Sequence, residues 1–384
     1  MQPKSMKIGF NFHSNDQYLS GVETYSLGLL CALLDIDRQN FYMVFTNNPD
    51  KVKSFIGDRD NLAVRDCSFL KKRLHRILWE HLRLPFVVQK EKLDILHCPH
   101  YICPVLRTSA AYIITLHDTI ALDHPEWCKR SNAAYYGIFM RKSANKASKI
   151  IAVSKFTRER INQNFNLDCS KVKVICPGVD ADIFNLYQDA ERQNQVRVKY
   201  NLPENYILYS GNIEPKKNIL NLLKAMRLLK AKGVKHRLVI AGQRNWKSEN
   251  VFDFLRAEFS PGEVILTGYV DRDNIGFVYK NAACLVLPSF CEGFGFPVLE
   301  AFACGVPVAA SCTGILHEID KNAYMPLDPH NPEQMTESIA RLLTDYKLRE
   351  LQIKTALTEV QKFNWSDCAA KTLALYKEVR EANG

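Results

Sequence analysis

The sequence predicts an α/β protein made of two doubly wound, parallel-sheet domains, and three observations predict it. The chain has 384 residues, too many for one ordinary domain and comfortable for two. Short apolar, strand-like runs alternate with helical patterns, as in βαβ units whose parallel sheet is covered on both faces. The alternation occurs twice, in halves of similar kind, around a polar stretch at residues 188–199 that carries little β pattern.

The first half opens with a strand at 7–12, a loop bearing Ser20 and Gly21, a helix at 22–34 and a strand at 41–46. Further strands are expected at 94–97, 111–116 and 149–153, and the segment 172–184 ends this half. The second half begins with a strand at 206–210 and a helix at 219–232. Strands follow at 237–241, 264–267, 284–287 and 307–310, then helices at 332–345, at 348–361 and after Trp365. The domains are therefore drawn as 1–190, rejoined by the last helix at about 365–384, and 191–364. Ligands of open α/β sheets bind beyond the carboxyl ends of the strands, so two facing domains of this kind are expected to hold a cleft between them.

Composition narrows the function classes. Hydrophobic residues make up 47% and charged residues 24%, the profile of a globular chain able to build a large core. The formal net charge of +10 suits an anionic partner, whether a nucleotide diphosphate, acidic lipid head groups or nucleic acid, and does not choose among them. The twelve cysteines form no C-x-x-C pair, and Cys31, Cys284 and Cys304 sit in apolar runs. They read as small buried hydrophobes in a reducing cytosol. The amino-terminal MQPKSMKIGFNF has no signal-peptide core, and no apolar run approaches the roughly 18 residues of a membrane span. A cytoplasmic location is expected.

The segment 285–308 carries the chemistry. LVLP reads as a buried strand, SFCEGFG as a loop with two glycines, Pro297 as the first turn of a helix and Gly305 as its end. A strand, a glycine loop and a helix N-terminus present backbone N–H groups and a positive dipole end to an anion, and a diphosphate fits there. Glu292 lies in the loop and Glu300 near the first helical turn. Each glutamate alone has a plain explanation, a solvated loop charge for Glu292 and dipole compensation for Glu300. Their combination with the glycines and the proline favours a nucleotide site.

The pattern E-G-F-G-x-P-x-x-E in EGFGFPVLE resembles the E-x(7)-E signature of family 4 glycosyltransferases, which are retaining enzymes of the GT-B fold. The likeness extends over nearly the whole chain. SGVETYSLGLLCALL, LDILHCPH, ITLHDTI and IAVSKFTRERI are similar to the family's first domain, while YSGNIEPKKNILNLLKA, LTGYVDRDNIGFVYKNAACLVLPS and EAFACGVPVAAS are similar to its donor-binding domain. The resemblance implies metal-independent transfer of a hexose, glucose or mannose, from UDP-glucose or GDP-mannose to a saccharide or lipid-linked saccharide, with no cofactor. It implies that Glu300 and Leu299 belong to the donor site, with Glu300 on the ribose hydroxyls, and that Glu292 stands near the sugar's C3 hydroxyl. The amides of Phe294, Gly295 and Phe296 would hold phosphates and sugar, Lys217 would neutralise the leaving diphosphate, and the backbone from Gly268 to Val270 would meet the base. His117 would face the donor sugar from the other domain, and Gly21 would line the cleft. Lys217, Glu292 and His117 are thus the expected catalytic groups, and His100 and His117 the acceptor-side groups. One departure stands out: Asn212 occupies the place where family members often carry an arginine, with Lys216 beside Lys217 as the available second charge.

Other features carry less. The triplets Asp35/Asp37, Asp180/Asp182 and Asp271/Asp273 have the D-x-D form of a metal pair, but Asp271 precedes a helix-like run and reads better as a cap. HCPHYIC offers His97, Cys98, His100 and Cys103, yet adjacent residues point to opposite sides of a strand, which disfavours zinc, and no metal is expected. The basic run 71–83 (KKRLHRILWEHLR) places Leu74, Ile77, Leu78 and Leu82 at helical spacing. Its apolar face either packs into its own domain, the favoured reading, or lies on an anionic membrane surface at the inner face of the plasma membrane.

Two other classes of function compete. A dehydrogenase or epimerase on a similar frame should show G-x-G-x-x-G after an early strand, which HSNDQYLSG lacks. A basic protein that merely binds nucleic acid or membrane has no need of the spacing from Glu292 to Glu300, and no nucleic-acid partner is expected.

Overall fold

A computed structural model describes residues 5–14, 18–71 and 73–383. The extreme amino terminus, part of the first loop (15–17) and Lys72 of the basic run lie outside the described residues. The chain divides into two compact units, Met1–Gly178 with Phe363–Gly384, and Val179–Lys362.

The first unit carries seven strands: β1 (Lys7–Asn11), β2 (Phe41–Thr46), β3 (Leu62–Asp66), β4 (Ile95–Cys98), β5 (Ala111–Leu116), β6 (Lys149–Ala152) and β7 (Val172–Val174). They form one parallel sheet in the order β3-β2-β1-β4-β5-β6-β7. The central strands are continuous apolar runs because helices cover both faces: every residue of β4 and β5 is buried. The last helix, Trp365–Asn383, returns to this unit. Gly28 of the helix Gly21–Ile36 admits the Trp365 indole, since a Cβ there would stand 2.5 Å from its ring, and Tyr376 Oη hydrogen-bonds His97 Nδ1 at 2.6 Å.

The second unit carries β8 (Tyr206–Ser210), β9 (Arg237–Ala241), β10 (Val264–Gly268), β11 (Cys284–Leu287), β12 (Val308–Ala310) and β13 (Met325–Pro326), all parallel, in the order β10-β9-β8-β11-β12-β13. Residues 179–187 pack within this unit. Ile183 O lies so close to Gly276 that a Cβ there would stand 2.2 Å away, and the Phe184 ring meets Tyr279 edge-on at 5.5 Å. All twelve cysteines are thiols. Cys284 and Cys304 are buried as expected, whereas Cys31 is only half-buried.

The basic run departs from its sequence reading. In place of one helix there are a 3-10 turn (Ser68–Lys71), an α-helix (Arg73–Leu78), a π-helical turn (Trp79–Arg83) and another α-helix (Leu84–Lys90). The apolar face does not all pack inward. Ile77 touches the core, but Leu74, Leu78 and Leu82 are 64%, 48% and 52% exposed. The core side is taken instead by Ile77, Trp79, Leu84 and Val88, which leaves the 74-78-82 row facing outward. No helix among the described residues is long and apolar enough to cross a membrane.

Candidate active site

In the second unit, β11 ends at Leu287 and the chain turns through residues 288–295 into the helix Phe296–Ala303. Gly295 caps that helix at φ 103°, a left-handed conformation that strains any side chain, and Pro297 sits in the first turn. The first N–H groups of a helix lack intrahelical acceptors and stand at the positive end of its dipole, so this turn is suited to an anion. A second loop supports it: Ile315 N–H donates to Phe294 O at 2.8 Å. Gly314, at φ 60°, makes that approach possible, because a Cβ there would lie 2.6 Å from Phe294 O. Gly314→Ala is therefore expected to cost about 2–4 kcal/mol, from left-handed strain plus overpacking. A thermal melt reads this directly, and an unchanged Tm would mean that the loop yields freely.

Glu292 is buried within this loop, and its Oε1 receives two donors, Lys217 Nζ at 2.6 Å and Ser289 Oγ at 2.6 Å. Its own N–H donates to Thr313 Oγ1 at 2.8 Å. Burial would raise the Glu292 pKa, but the charges of Lys217 and Lys216 and the two hydrogen bonds outweigh it and hold the carboxyl below the ordinary glutamate range. Lys217 ends the short turn Pro215–Lys217. Asn218, at φ 58°, fixes that turn by donating from Nδ2 to Pro288 O at 3.0 Å and Pro329 O at 2.6 Å. Phe290 N–H donates to Lys216 O at 2.9 Å, so the lysine turn and the glutamate loop are joined through backbone as well as through the ion pair. Lys216 Nζ lies 3.7 Å from Glu214 Oε1.

Asn212 supplies no charge. Its carbonyl accepts from Tyr209 Oη at 3.1 Å and its Oδ1 accepts from Gln243 N–H at 3.3 Å. There the ends of β8 and β9 come so close that a Cβ on Gly242 would stand 1.9 Å from Gly211 O. The asparagine thus secures a backbone crossing.

Glu300 lies in an environment opposite to that of Glu292. It is half-buried on the helix Phe296–Ala303 and accepts a hydrogen bond from Tyr279 Oη at 2.6 Å. Burial pushes its pKa up to about 7 against the Tyr279 bond, and the Asp180 carboxylate adds to the rise. The two glutamates of the motif are therefore unlike in charge near neutral pH, one ionised and one poised to titrate.

Among the other expected donor groups, Phe294 and Phe296 meet edge-on with ring centroids 5.0 Å apart, and Val270 is buried just after β10. The Leu299 side chain is wholly buried and belongs to the core, so only its backbone is available at the helix start. Gly21, His100 and His117 lie in the first unit. Gly21 is the first residue of the helix Gly21–Ile36, whose N-cap Ser20 forms a capping box with Glu23. His117 Nε2 donates to Pro99 O at 2.9 Å, which leaves Nδ1 as an acceptor in the neutral ring. Burial lowers its pKa to about 4 despite that bond and the nearby Asp118. His100 Nε2 lies 3.1 Å from Glu80 Oε1.

Sequence reasoning did not find Ser289, Thr313, Asn218 or Tyr279. Ser289 lies within the motif loop itself, and the other three act across the fold with no spacing signal. The D-x-D triplets are structural. Asp37 accepts from Tyr42 Oη at 2.7 Å, and Asp180 pairs with Arg272. Asp271 occupies the helix N-cap position as expected but makes no side-chain capping bond, because Lys199 Nζ at 2.7 Å and Tyr200 Oη at 3.0 Å claim its carboxylate.

The comparisons with known proteins identify the family and the fold. Residues 19–183 match the model for Glycosyltransferase Family 4, and residues 191–358 match the model for Glycosyl transferases group 1. The chain belongs to family 4 of the glycosyltransferases. It is 28% identical over 384 residues to the O-antigen chain mannosyltransferase B of Escherichia coli, covering 97% of this chain and 100% of the relative. It is 24% identical over 339 residues to the O-antigen chain mannosyltransferase RfbU of Salmonella typhimurium, covering 84% of this chain and 90% of the relative. The fold is GT-B. Anabaena Alr3699/HepE, solved with UDP-glucose, superposes with a TM-score of 0.74 at 15% identity over 96% of this chain and 99% of that one.

Proposed function

We propose that this glycosyltransferase moves a hexose, with retention at the anomeric carbon, from a nucleoside-diphosphate sugar to a saccharide or lipid-linked saccharide of a surface polysaccharide. The observation that carries the reading is the ion pair of the half-buried Lys217 with the buried Glu292 beside the glycine-capped N-terminus of the helix Phe296–Ala303. A diphosphate that leaves as a sugar–oxygen bond breaks gains negative charge, and a fixed ammonium with oriented N–H dipoles stabilises that charge without rearranging. Mannose is the favoured sugar, because relatives over both halves of the chain are named mannosyltransferases. GDP-mannose is then the donor to try first and UDP-glucose the second.

In the proposed reaction the acceptor hydroxyl forms a bond to C1 on the face from which the diphosphate departs. The C1–phosphate bond breaks, and the hydroxyl proton passes to a phosphate oxygen of the leaving group. Lys217 neutralises the leaving group, Glu292 holds a sugar hydroxyl, Glu300 accepts from the ribose, and the first unit holds the acceptor. A thermal-shift panel of sugar nucleotides tests this, since a ligand at 100 times its Kd adds about 2.7 kcal/mol of apparent stability. Stabilisation by one donor and its nucleoside diphosphate is expected, with turnover unchanged in excess EDTA during the assay. No shift with any sugar nucleotide would overturn the reading, and loss of turnover restored by magnesium would overturn its metal-independent form.

The exposed row Leu74, Leu78 and Leu82, with Phe69 and Phe86 also outward, lies between Arg73 and Arg83. Basic and apolar groups together suit an anionic lipid surface, where a lipid-linked acceptor would reside. The protein is expected to sediment with vesicles containing anionic lipid and to lose most of that binding when the three leucines become serine. Equal binding by that variant would exclude this surface.

A further inference from the structure

A cluster in the first unit plays no part in the donor site. His13 lies in the loop after β1, Glu80 in the π-helical turn Trp79–Arg83, and His100 in the loop after β4. Such π turns are rare and recur at functional sites. Two imidazole Nε2 atoms converge on one oxygen, Glu80 Oε1, at 3.4 Å from His13 and 3.1 Å from His100. The three ligand atoms all lie within 4.8 Å of one another. Ligands at about 2.0–2.2 Å from a tetrahedral zinc ion stand about 3.3–3.5 Å apart, so two edges of the cluster already have nearly the required length.

A second observation is independent of these distances. The His13 and Glu80 side chains are only 5% and 3% exposed, and neither ring nitrogen of His13 has a hydrogen-bond partner. A buried polar group without a partner is unfavourable, and a bound cation would relieve it. Protonation does not relieve His13, because burial outweighs the pull of Glu80 and lowers its pKa to about 3. Burial would raise the pKa of Glu80, but the hydrogen bond and charge of His100, with His13 and Arg76, hold it at about 2. Tyr135 Oη donates to the other carboxylate oxygen, Glu80 Oε2, at 3.2 Å, leaving Oε1 directed at the two rings.

We propose that His13, Glu80 and His100 bind a divalent transition-metal cation of the zinc class, tying together three segments remote in sequence. Two imidazoles and one carboxylate suit such an ion, with a fourth position open to water or ligand. The site does not rest on the donor reading, whose lysine and glutamates lie in the other unit. It also differs from the HCPHYIC reading, because His97 is held by Tyr376 and Thr115 and only His100 of that run takes part. Arg76 acts on Glu80 and His13 with a charge that opposes a cation, so the Arg76→Gln variant should bind the ion more tightly.

The test is cobalt(II) titration of the full chain after prolonged dialysis against chelator. One cobalt per chain is expected, with visible d–d absorption and no near-ultraviolet thiolate band. Glu80→Gln, His13→Ala and His100→Ala should each weaken binding by at least about 100-fold. The exposed Cys312 and His317, 4.0 Å apart, are removed as a competing site by running all titrations in a Cys312→Ser background. Metal-free melts of the variants, compared with the metal-free parent, separate lost ligation from lost folding. If His13→Ala fails to fold, His100→Ala and Arg76→Gln carry the same comparison. No bound cobalt in the parent, or affinity unchanged in the ligand variants, would overturn the proposal.

Discussion

Replacing Lys217 with alanine is expected to lower kcat by about 10²- to 10³-fold, the loss typical of removing one fixed group that stabilises transition-state charge. The loss should appear in single-turnover transfer and not only in KM, because the charge opposed by Lys217 develops as the diphosphate leaves. The same substitution leaves Glu292 buried without its ion partner, which costs about 3 kcal/mol or somewhat more. Ser289 still donates to Glu292, and the field of Lys216 still reaches it, so the fold should survive with a lowered Tm. Restoring the balance with Glu292→Gln in the Lys217→Ala background should recover stability but not activity. A Lys217→Ala enzyme with turnover within twofold of the parent would remove the lysine from the reaction.

Glu300→Gln is expected to weaken nucleoside-diphosphate binding by about 10- to 100-fold, since hydrogen bonds to a charged group contribute about 1.5–3 kcal/mol. The pH dependence sharpens this. The Glu300 pKa is raised to about 7 in the folded protein, so below that pH the carboxyl is largely protonated and can accept less well from two ribose hydroxyls. Affinity should therefore rise with pH toward 7 and then level, and binding near pH 6.5 should release a proton. The stability linkage runs the opposite way. A raised carboxyl pKa favours the folded state below the unfolded value, and that contribution is lost as pH rises through about 7. Calorimetric titration with the nucleoside diphosphate in buffers of different ionisation enthalpy reads the proton directly. In Glu300→Gln both the pH dependence and the proton release should vanish, and a parent enzyme with flat affinity and no released proton would contradict the ribose role.

Most strands legible in the sequence are buried on both faces, with β10, half-exposed along VILTG, an exception. β2, β5, β8, β9 and β11 read as uninterrupted apolar runs because the helices leave them no solvent side. Two strands gave no such signal: β3 is half-exposed along LAVRD, and β13 is two residues ending in a proline. The motif glutamates were legible because a glycine loop, a proline and a helix start constrain one another over a few residues. Their environments were not. The drop in pKa at Glu292 comes from a lysine 75 residues away in the chain, and the Tyr279 that binds Glu300 lies 21 residues before it. The Leu74-Leu78-Leu82 row shows a related limit. Periodicity identified a helical stripe but not which of two faces the core takes, and Ile77 with Trp79 won that side. Glu80 escaped notice because its imidazole partners come from loops after two different strands.

The most direct test of the central claim is ¹H NMR of the sugar first released when the enzyme hydrolyses GDP-mannose, or failing that UDP-glucose, in the absence of acceptor. Consumption of the donor with the α-anomer appearing first, before mutarotation, is the result a retaining transferase predicts. First release of the β-anomer would contradict retention, and no consumption of either donor would contradict the reading of the Lys217–Glu292 site.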